Sequence, residues 1–265
     1  MGRFHRHEDG TIHDHGHPGD QPVHDHDRAD EIGDHSGYAT GGERVEVLER
    51  IFAENDRTAA ANRADFAAAG VRVVNLMSSP GAGKTTLLRE TLRRLSGKVR
   101  FGVIEGDIET SLDADKLAGF GAEIALVNTG NGFGGECHLD APMVRSALSR
   151  LPLPDLDLVL IENVGNLVCP AEFDVGEDAR AMVFAITEGE EKPLKYPGIF
   201  FKASLMAMTK VDLLPYVPLQ AHVAEVNARS IHPDIEIVRV SSTLKTGLDG
   251  WLDWIDRHVA AVRAL

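Results

Sequence analysis

From residue 71 onward, short apolar runs alternate with stretches of helical period. VRVVNLM (71–77), RFGVIEGD (100–107), EIALVN (123–128), DLVLIEN (157–163), SLMAMTK (204–210) and EIVRV (236–240) read as strands, with a shorter one near AMVFAIT (181–187). Near-continuous apolar runs bounded by turn residues mark strands covered on both faces. Between them, helical patterns over 84–95, near 112–118, over 141–151, near 219–231 and from 248 supply the crossovers that parallel strands need. The pattern predicts an α/β fold, a mostly parallel sheet with helices on both faces. Upstream, ERVEVLERIFAENDRTAAANRADFAAA (43–69) has helix-favouring composition; Val47, Leu48, Ile51 and Phe52 recur near a 3.6 period, and Gly70 is a natural stop.

Residues 1–40 break the pattern. They hold eight of the twelve histidines (His5, His7, His13, His15, His17, His24, His26, His35) among nine carboxylates and almost no apolar residue. Such a segment cannot offset its ordering entropy, so disorder without ligand is expected, and its composition reads as a weak metal-binding tract. A merely solvating tail is the plainer alternative. The expected organisation is a His-rich extension, 1–40, and one domain, 41–265. Against the three arginines of the extension its acids leave −6 of the −14 formal charge. An acidic chain without a Lys/Arg stripe argues against nucleic acid or anionic membrane as partner. No basic leader with an apolar core and no spanning apolar run is present, which predicts a cytoplasmic protein. The two cysteines then read as reduced thiols, ligands or nucleophiles rather than a disulfide.

SSPGAGKTT (78–86) joins the first apolar run to a helix. In a phosphate loop the backbone N–H groups wrap phosphates, glycines permit close approach, and the helix N-terminus adds its dipole. Gly81, Ala82, Gly83, Lys84, Thr85 and Thr86 are the candidate loop, with Lys84 reaching the β/γ-phosphates and Thr85 ligating Mg²⁺. Ser78 stands where the generic pattern has glycine. TKVD (209–212) ends an apolar strand as a guanine-reading motif does: Asp212 accepts from guanine N1 and N2, the Lys210 stem covers the ring, and Thr209 takes the usual place of Asn. SSTLKTG (241–247), including Ser242, is placed to complete the base pocket, so GTP is favoured over ATP. Asp107 is placed to engage Mg²⁺ or the attacking water, with a helix N-cap as its plainer alternative. In ENVG (162–165), Glu162 would polarise the Mg²⁺ shell and Gly165 would meet the γ-phosphate. The expected catalytic residues are thus Lys84, Asp107 and Glu162.

Cys137-His138 and Cys169, 31 residues beyond that histidine, supply thiolate and imidazole, ligands suited to Ni²⁺ and Zn²⁺. Three ligands do not close a tetrahedral cage, whereas a two-fold dimer would bring six to one interface. On spacing alone, packing residues are the competing reading.

With NDRTAAANR (55–63), EGDIETSLDADKL (105–117), GECHLDA (135–141), ENVGNLVCPAEFDVGE (162–177), TEGEEKPLKYP (187–197) and TKVDLLP (209–215) added, the chain from about Val45 onward resembles the HypB family of nickel-incorporation GTPases of [NiFe]-hydrogenase maturation. The resemblance implies a P-loop fold of the SRP/MinD-type class, GTP-dependent homodimerisation, and an interface metal site from Cys137, His138 and Cys169. It also implies delivery of Ni²⁺ to the hydrogenase large subunit with a HypA-type partner. Some relatives carry an N-terminal Cys-rich nickel motif; here no cysteine precedes 137, so the histidines are read as a store. A urease-type nickel GTPase would share the fold, but that family looks like Cys-Pro-His at its metal motif. A non-enzymatic nickel store would leave the phosphate loop and TKVD without purpose. With neither an arginine finger nor a placed Gln evident, slow turnover is expected.

Overall fold

A computed structural model of the chain describes residues 5–6, 12–13, 41–107, 117–129 and 137–263. It falls into two units, residues 1–47 and 48–265. In the first, the described residues are a short antiparallel pair, His5–Arg6 with Ile12–His13, and the first turns of helix α1 (Gly41–Ala69). The side chains of all eight histidines of the extension lie outside the described residues.

The second unit is built on seven parallel strands: β1 (Arg72–Ser78), β2 (Phe101–Asp107), β3 (Glu123–Asn128), β4 (Leu158–Glu162), β5 (Ala179–Ala185), β6 (Leu205–Thr209) and β7 (Glu236–Arg239). Their order is β3-β2-β4-β1-β5-β6-β7. β1 is central, paired in parallel with β4 (Val74 with Leu160) and with β5 (Met77 with Met182). The chain leaves β1 for one side of the sheet, returns to fill the gap with β4, then crosses β1 to β5. That reversal opens a crevice at the carboxyl ends of the strands, where α/β sheets bind ligands.

Period-2 alternation sends successive residues of β1 to opposite layers. Val74 and Leu76 pack with Leu87, Leu88 and Leu92 of α2 (Lys84–Leu95) and with Trp251, Trp254 and Ile255 of the closing helix (Leu248–Arg263). Val73 faces Phe66 of α1, Ile104, Ile161 and Val144 of α3 (Ala141–Leu148), while Met77 joins Met182, Phe184 and Phe200. Trp251 Nε1 donates to Thr91 Oγ1 at 2.7 Å, which satisfies its one polar atom inside the core. Truncating either tryptophan should cost about 3–5 kcal/mol.

Most strands and helices lie within two residues of the sequence expectation. The run at 181–187 is a full strand, beginning at Ala179 and as long as β1. The helix expected over 141–151 stops at Leu148, with Ser149 as its cap. Most of 112–118 lies outside the described residues, and Ala118–Phe120 form a 3₁₀ turn. Leu48 and Ile51 are 46% and 48% exposed rather than in the core, and Phe52, 36% exposed, lies against the Phe173 ring with centroids 5.3 Å apart. No described helix is long and apolar enough to cross a membrane.

Candidate nucleotide and metal site

The phosphate loop leaves β1 at Ser78 and enters α2 at Lys84. Gly81 and Gly83 are left-handed (φ 69° and 99°), a conformation that exposes backbone N–H groups without a Cβ clash. Lys84 Nζ, 8% exposed as a residue, donates to Ser78 Oγ at 2.7 Å, so the serine that departs from the generic pattern supports the loop lysine. Burial pulls the Lys84 pKa below its ordinary value, opposed by the charges of Glu162 and Glu188. A triphosphate would add further compensating negative charge beside this buried ammonium. Ser79 Oγ donates to Glu188 Oε2 at 2.5 Å, and Glu188 Oε1 accepts from the Ala185 amide at 2.9 Å. Glu188 thereby ties the end of β5 to the phosphate loop, a role that sequence inspection missed.

The residues expected to read guanine stand beside this loop. Thr209 Oγ1 donates to the Ala82 carbonyl at 2.7 Å, and Lys210, itself left-handed at φ 59°, donates from Nζ to the Gly81 carbonyl at 2.7 Å. Asp212 Oδ1 accepts from Ser241 Oγ at 2.6 Å, and Ser241 in turn takes the Leu244 amide at 3.0 Å. Ser241 therefore holds the Asp212 carboxylate; Ser242, the residue expected from sequence, is its neighbour in the same loop. The position of SSTLKTG directly after the last strand was the signal that could have found Ser241.

Glu162 ends β4, 7% exposed, and its Oε1 accepts from Thr85 Oγ1 at 2.7 Å. A buried carboxylate and a hydroxyl held together form a hard oxygen set that fits Mg²⁺. Asp107 closes β2, and its side chain lies outside the described residues, as do positions 108–116. Gly165 lies against the phosphate loop: a Cβ there would stand 2.9 Å from Pro80 Cα and 3.0 Å from Pro80 N. Only glycine permits that approach.

Beyond Gly165 the chain turns on Asn166, whose Oδ1 accepts from the Val168 amide at 2.8 Å, and enters a four-residue helix at Cys169. There it meets Cys137 and His138, which lead into α3. Their ligand atoms and that of Cys169 all lie within 4.8 Å of one another, with the two sulfurs at 2.9 Å. The His138 ring stacks on Phe173 with centroids 4.1 Å apart. Thus an adjacent pair of donors and a third 31 residues later converge beside the segment expected to sense the γ-phosphate. Helix α1 braces the segments that carry these three side chains: Asn55 takes the Ala141 amide (2.8 Å) and gives to the Asp174 carbonyl (2.8 Å), while Asn62 gives to the carbonyls of Ala141 and Val175. Both asparagines are buried, a role not anticipated from their place in a helix.

Residues 72–239 match the family described as CobW/HypB/UreG, nucleotide-binding domain. Hydrogenase maturation factor HypB of Escherichia coli (strain K12) is 48% identical over 231 residues, which span 87% of this chain and 78% of that protein. That of Azotobacter vinelandii is 46% identical over 214 residues, 81% of this chain and 69% of the relative. Among solved structures, HypB of Archaeoglobus fulgidus superposes with a TM-score of 0.73 at 35% identity, covering 78% of this chain and 99% of that one. HypB of Helicobacter pylori in complex with nickel gives 0.73 at 31%, covering 78% and 96%.

Proposed function

The chain belongs to the HypB family of hydrogenase maturation factors, and from that premise we propose that it is a GTP-hydrolysing nickel metallochaperone. In this reading it passes Ni²⁺ to the [NiFe]-hydrogenase large subunit with a HypA-type nickel chaperone. The carrying observation is the convergence of Cys137, His138 and Cys169 within 4.8 Å at the strand ends that bear the phosphate loop.

The phosphate-loop amides and the α2 N-terminus hold the phosphates, and Lys84 carries the compensating positive charge. Thr85, Glu162 and Asp107 would hold Mg²⁺, which when bound neutralises charge between the β- and γ-phosphates. Asp212 and Lys210 read the guanine. Gly165 meets the γ-phosphate, and Asp107 orients the attacking water. Nickel is the cargo, held by two thiolates and an imidazole, ligands of the softness it prefers. Pairing two chains through GTP would complete the coordination with a second set of three, and the same donors would accept Zn²⁺. The histidine extension serves as a weaker store, and the protein acts in the cytoplasm.

The test is phosphate release by the full chain with Mg²⁺ and GTP or ATP, beside Ni²⁺ titration followed by thiolate-to-nickel charge-transfer absorption. Slow hydrolysis specific to GTP is expected, with an absorption band that Cys169→Ala weakens by removing one of its two thiolates. Equal use of ATP, or a band unchanged in that variant, would refute the reading.

A further inference from the structure

We propose that Asn163 is the positioning residue through which the nucleotide state sets the geometry of the Cys137, His138 and Cys169 site. This inference rests on the nucleotide and nickel reading above and adds the link between its two halves.

Asn163 is 2% exposed and lies between Glu162 and the Val164-Gly165 pair. Its backbone amide donates to the Leu76 carbonyl of β1 at 3.1 Å, and Nδ2 donates to Asn75 Oδ1 at 3.3 Å, so it is fixed to the strand that feeds the phosphate loop. Oδ1 faces the other way. It accepts from the Val164 amide, next to Gly165, and from the Leu139 amide, next to His138, each at 2.9 Å. One carboxamide oxygen therefore joins the residue before the γ-phosphate contact to the residue after a metal ligand, with Leu139 lying 24 positions before Asn163 in sequence.

Leu139 is well suited to transmit the pull. It is fully buried and packs on Gly106, where a Cβ would come within 2.8 Å of its side chain. Gly106 precedes Asp107, so the backbone carrying Cys137 and His138 is held against both strand ends that bear switch residues. A shift of Gly165 by about 1 Å would carry Val164 with it. The shared oxygen must then follow, or surrender a 2.9 Å bond inside the core and leave a buried amide unsatisfied, which is unfavourable. Following it moves the Leu139 amide and the ligands beside it. Two discrete arrangements of one packed contact are the physical requirement for coupling between sites.

The full-length protein is titrated with Ni²⁺ in the presence of Mg²⁺ and either GDP or a non-hydrolysable GTP analogue. The thiolate charge-transfer band is followed because the imidazoles of the extension do not produce it. In the wild type the two apparent affinities should differ by roughly 5- to 150-fold, the usual span of coupling between sites. Asn163→Ala should retain the band but bring the ratio to within about twofold of unity. Asn163→Asp keeps an oxygen for both amides at the loss of the donor to Asn75 Oδ1, and should keep more of the ratio than the alanine variant. Asn163→Ser, too short to span to Leu139, replaces the alanine variant should that fail to fold, with the same expected loss. A wild-type ratio in either shortened variant would overturn the assignment. Absence of the band from the wild type would overturn the metal site itself, and a band with equal affinities in both nucleotides would overturn the coupling while leaving the site standing.

Discussion

Gly165→Ala adds one methyl at the most confined point of the nucleotide site. The new Cβ would lie 2.9 Å from Pro80 Cα, 3.0 Å from Pro80 N and 3.3 Å from Pro80 Cγ. Carbon atoms rest about 3.5–4.0 Å apart, so the deficit is roughly 0.6–1 Å, and two of the three opposing atoms are backbone. Neither side can relieve it by rotating a side chain. Overpacking of this kind costs about 1–3 kcal/mol, and its relief must part the ENVG segment from the phosphate loop. That separation draws the loop amides and the Gly165 amide away from the phosphates together. Fluorescent-nucleotide titration should show affinity for a GTP analogue falling about 5- to 150-fold, with GDP less affected because it lacks the γ-phosphate. Phosphate release should fall in parallel. The melting temperature should drop by about 2–4 °C per kcal/mol of strain retained in the fold. GTP-analogue affinity and hydrolysis both within twofold of wild type, with an unchanged melting temperature, would refute the steric reasoning.

Asp212→Asn should exchange guanine for xanthine specificity, because the amide reverses the donor and acceptor pattern at the base edge; competition between GTP and XTP for the labelled site decides it. Deleting residues 1–40 should remove several weakly bound Ni²⁺ ions, counted by equilibrium dialysis, while sparing GTP hydrolysis and the thiolate band. The deleted capacity should be the part that fails as pH falls through ~6.5, where protonated imidazole stops ligating. Acid stability offers a further check. Burial acts to raise the Asp174 pKa, yet Arg63 and the Gly176 amide outweigh it and hold the carboxyl below its ordinary value. The unfolded chain therefore binds that proton first, and the stabilisation, present above about pH 4, is lost as pH falls through the lower folded value. Asp174→Asn should lower the melting temperature at neutral pH and flatten its decline below pH ~4; an unchanged slope would count against the assignment.

Most of the sheet was legible because its strands are covered on both faces and so read as apolar runs. Lys84–Leu95 matches the expected span because Gly83 gives its start a sharp signal. The start of β5 was hidden by Arg180, a charged residue on a strand, whose guanidinium is satisfied by Glu177 and by the carbonyls of Ala171 and Phe173. Its expected end was too late because Glu188 folds back onto the Ala185 amide and turns Ile186–Glu188 into a 3₁₀ turn. The stripe of Leu48, Ile51 and Phe52 shows how far periodicity goes: it defines an apolar face of α1 and says nothing of whether the domain covers it. The metal triad could be suspected from residue type alone. Its convergence depends on strand order, since Cys137 follows β3 and Cys169 follows β4, strands separated by β2. Asn55, Asn62 and Asn163 were harder still, because a buried asparagine bonded to distant backbone leaves no local pattern.

The bonding pattern divides the nucleotide site into two parts with different tasks. Thr209 and Lys210 grip the carbonyls of Ala82 and Gly81, so the TKVD loop and the phosphate loop are tied together. For that grip a single hydroxyl donor suffices, which explains why threonine serves where Asn is usual. In the proposed reading GDP and GTP would make the same contacts with this part, and a ligand shifts an equilibrium only by its differential affinity for the two states. Signalling between nucleotide and metal must therefore run through groups that GTP alone engages, and in the proposed reading those are Gly165 and its neighbours. That segment is joined to the metal loops from two directions, through Asn163 to Leu139 and through Asn166 to the turn before Cys169. Substitutions in TKVD should accordingly change how tightly either nucleotide binds while leaving the GTP-to-GDP ratio of nickel affinities at saturating nucleotide intact. A ratio that shifted in Asp212→Asn saturated with xanthine nucleotides would show that the base loop also drives the metal site.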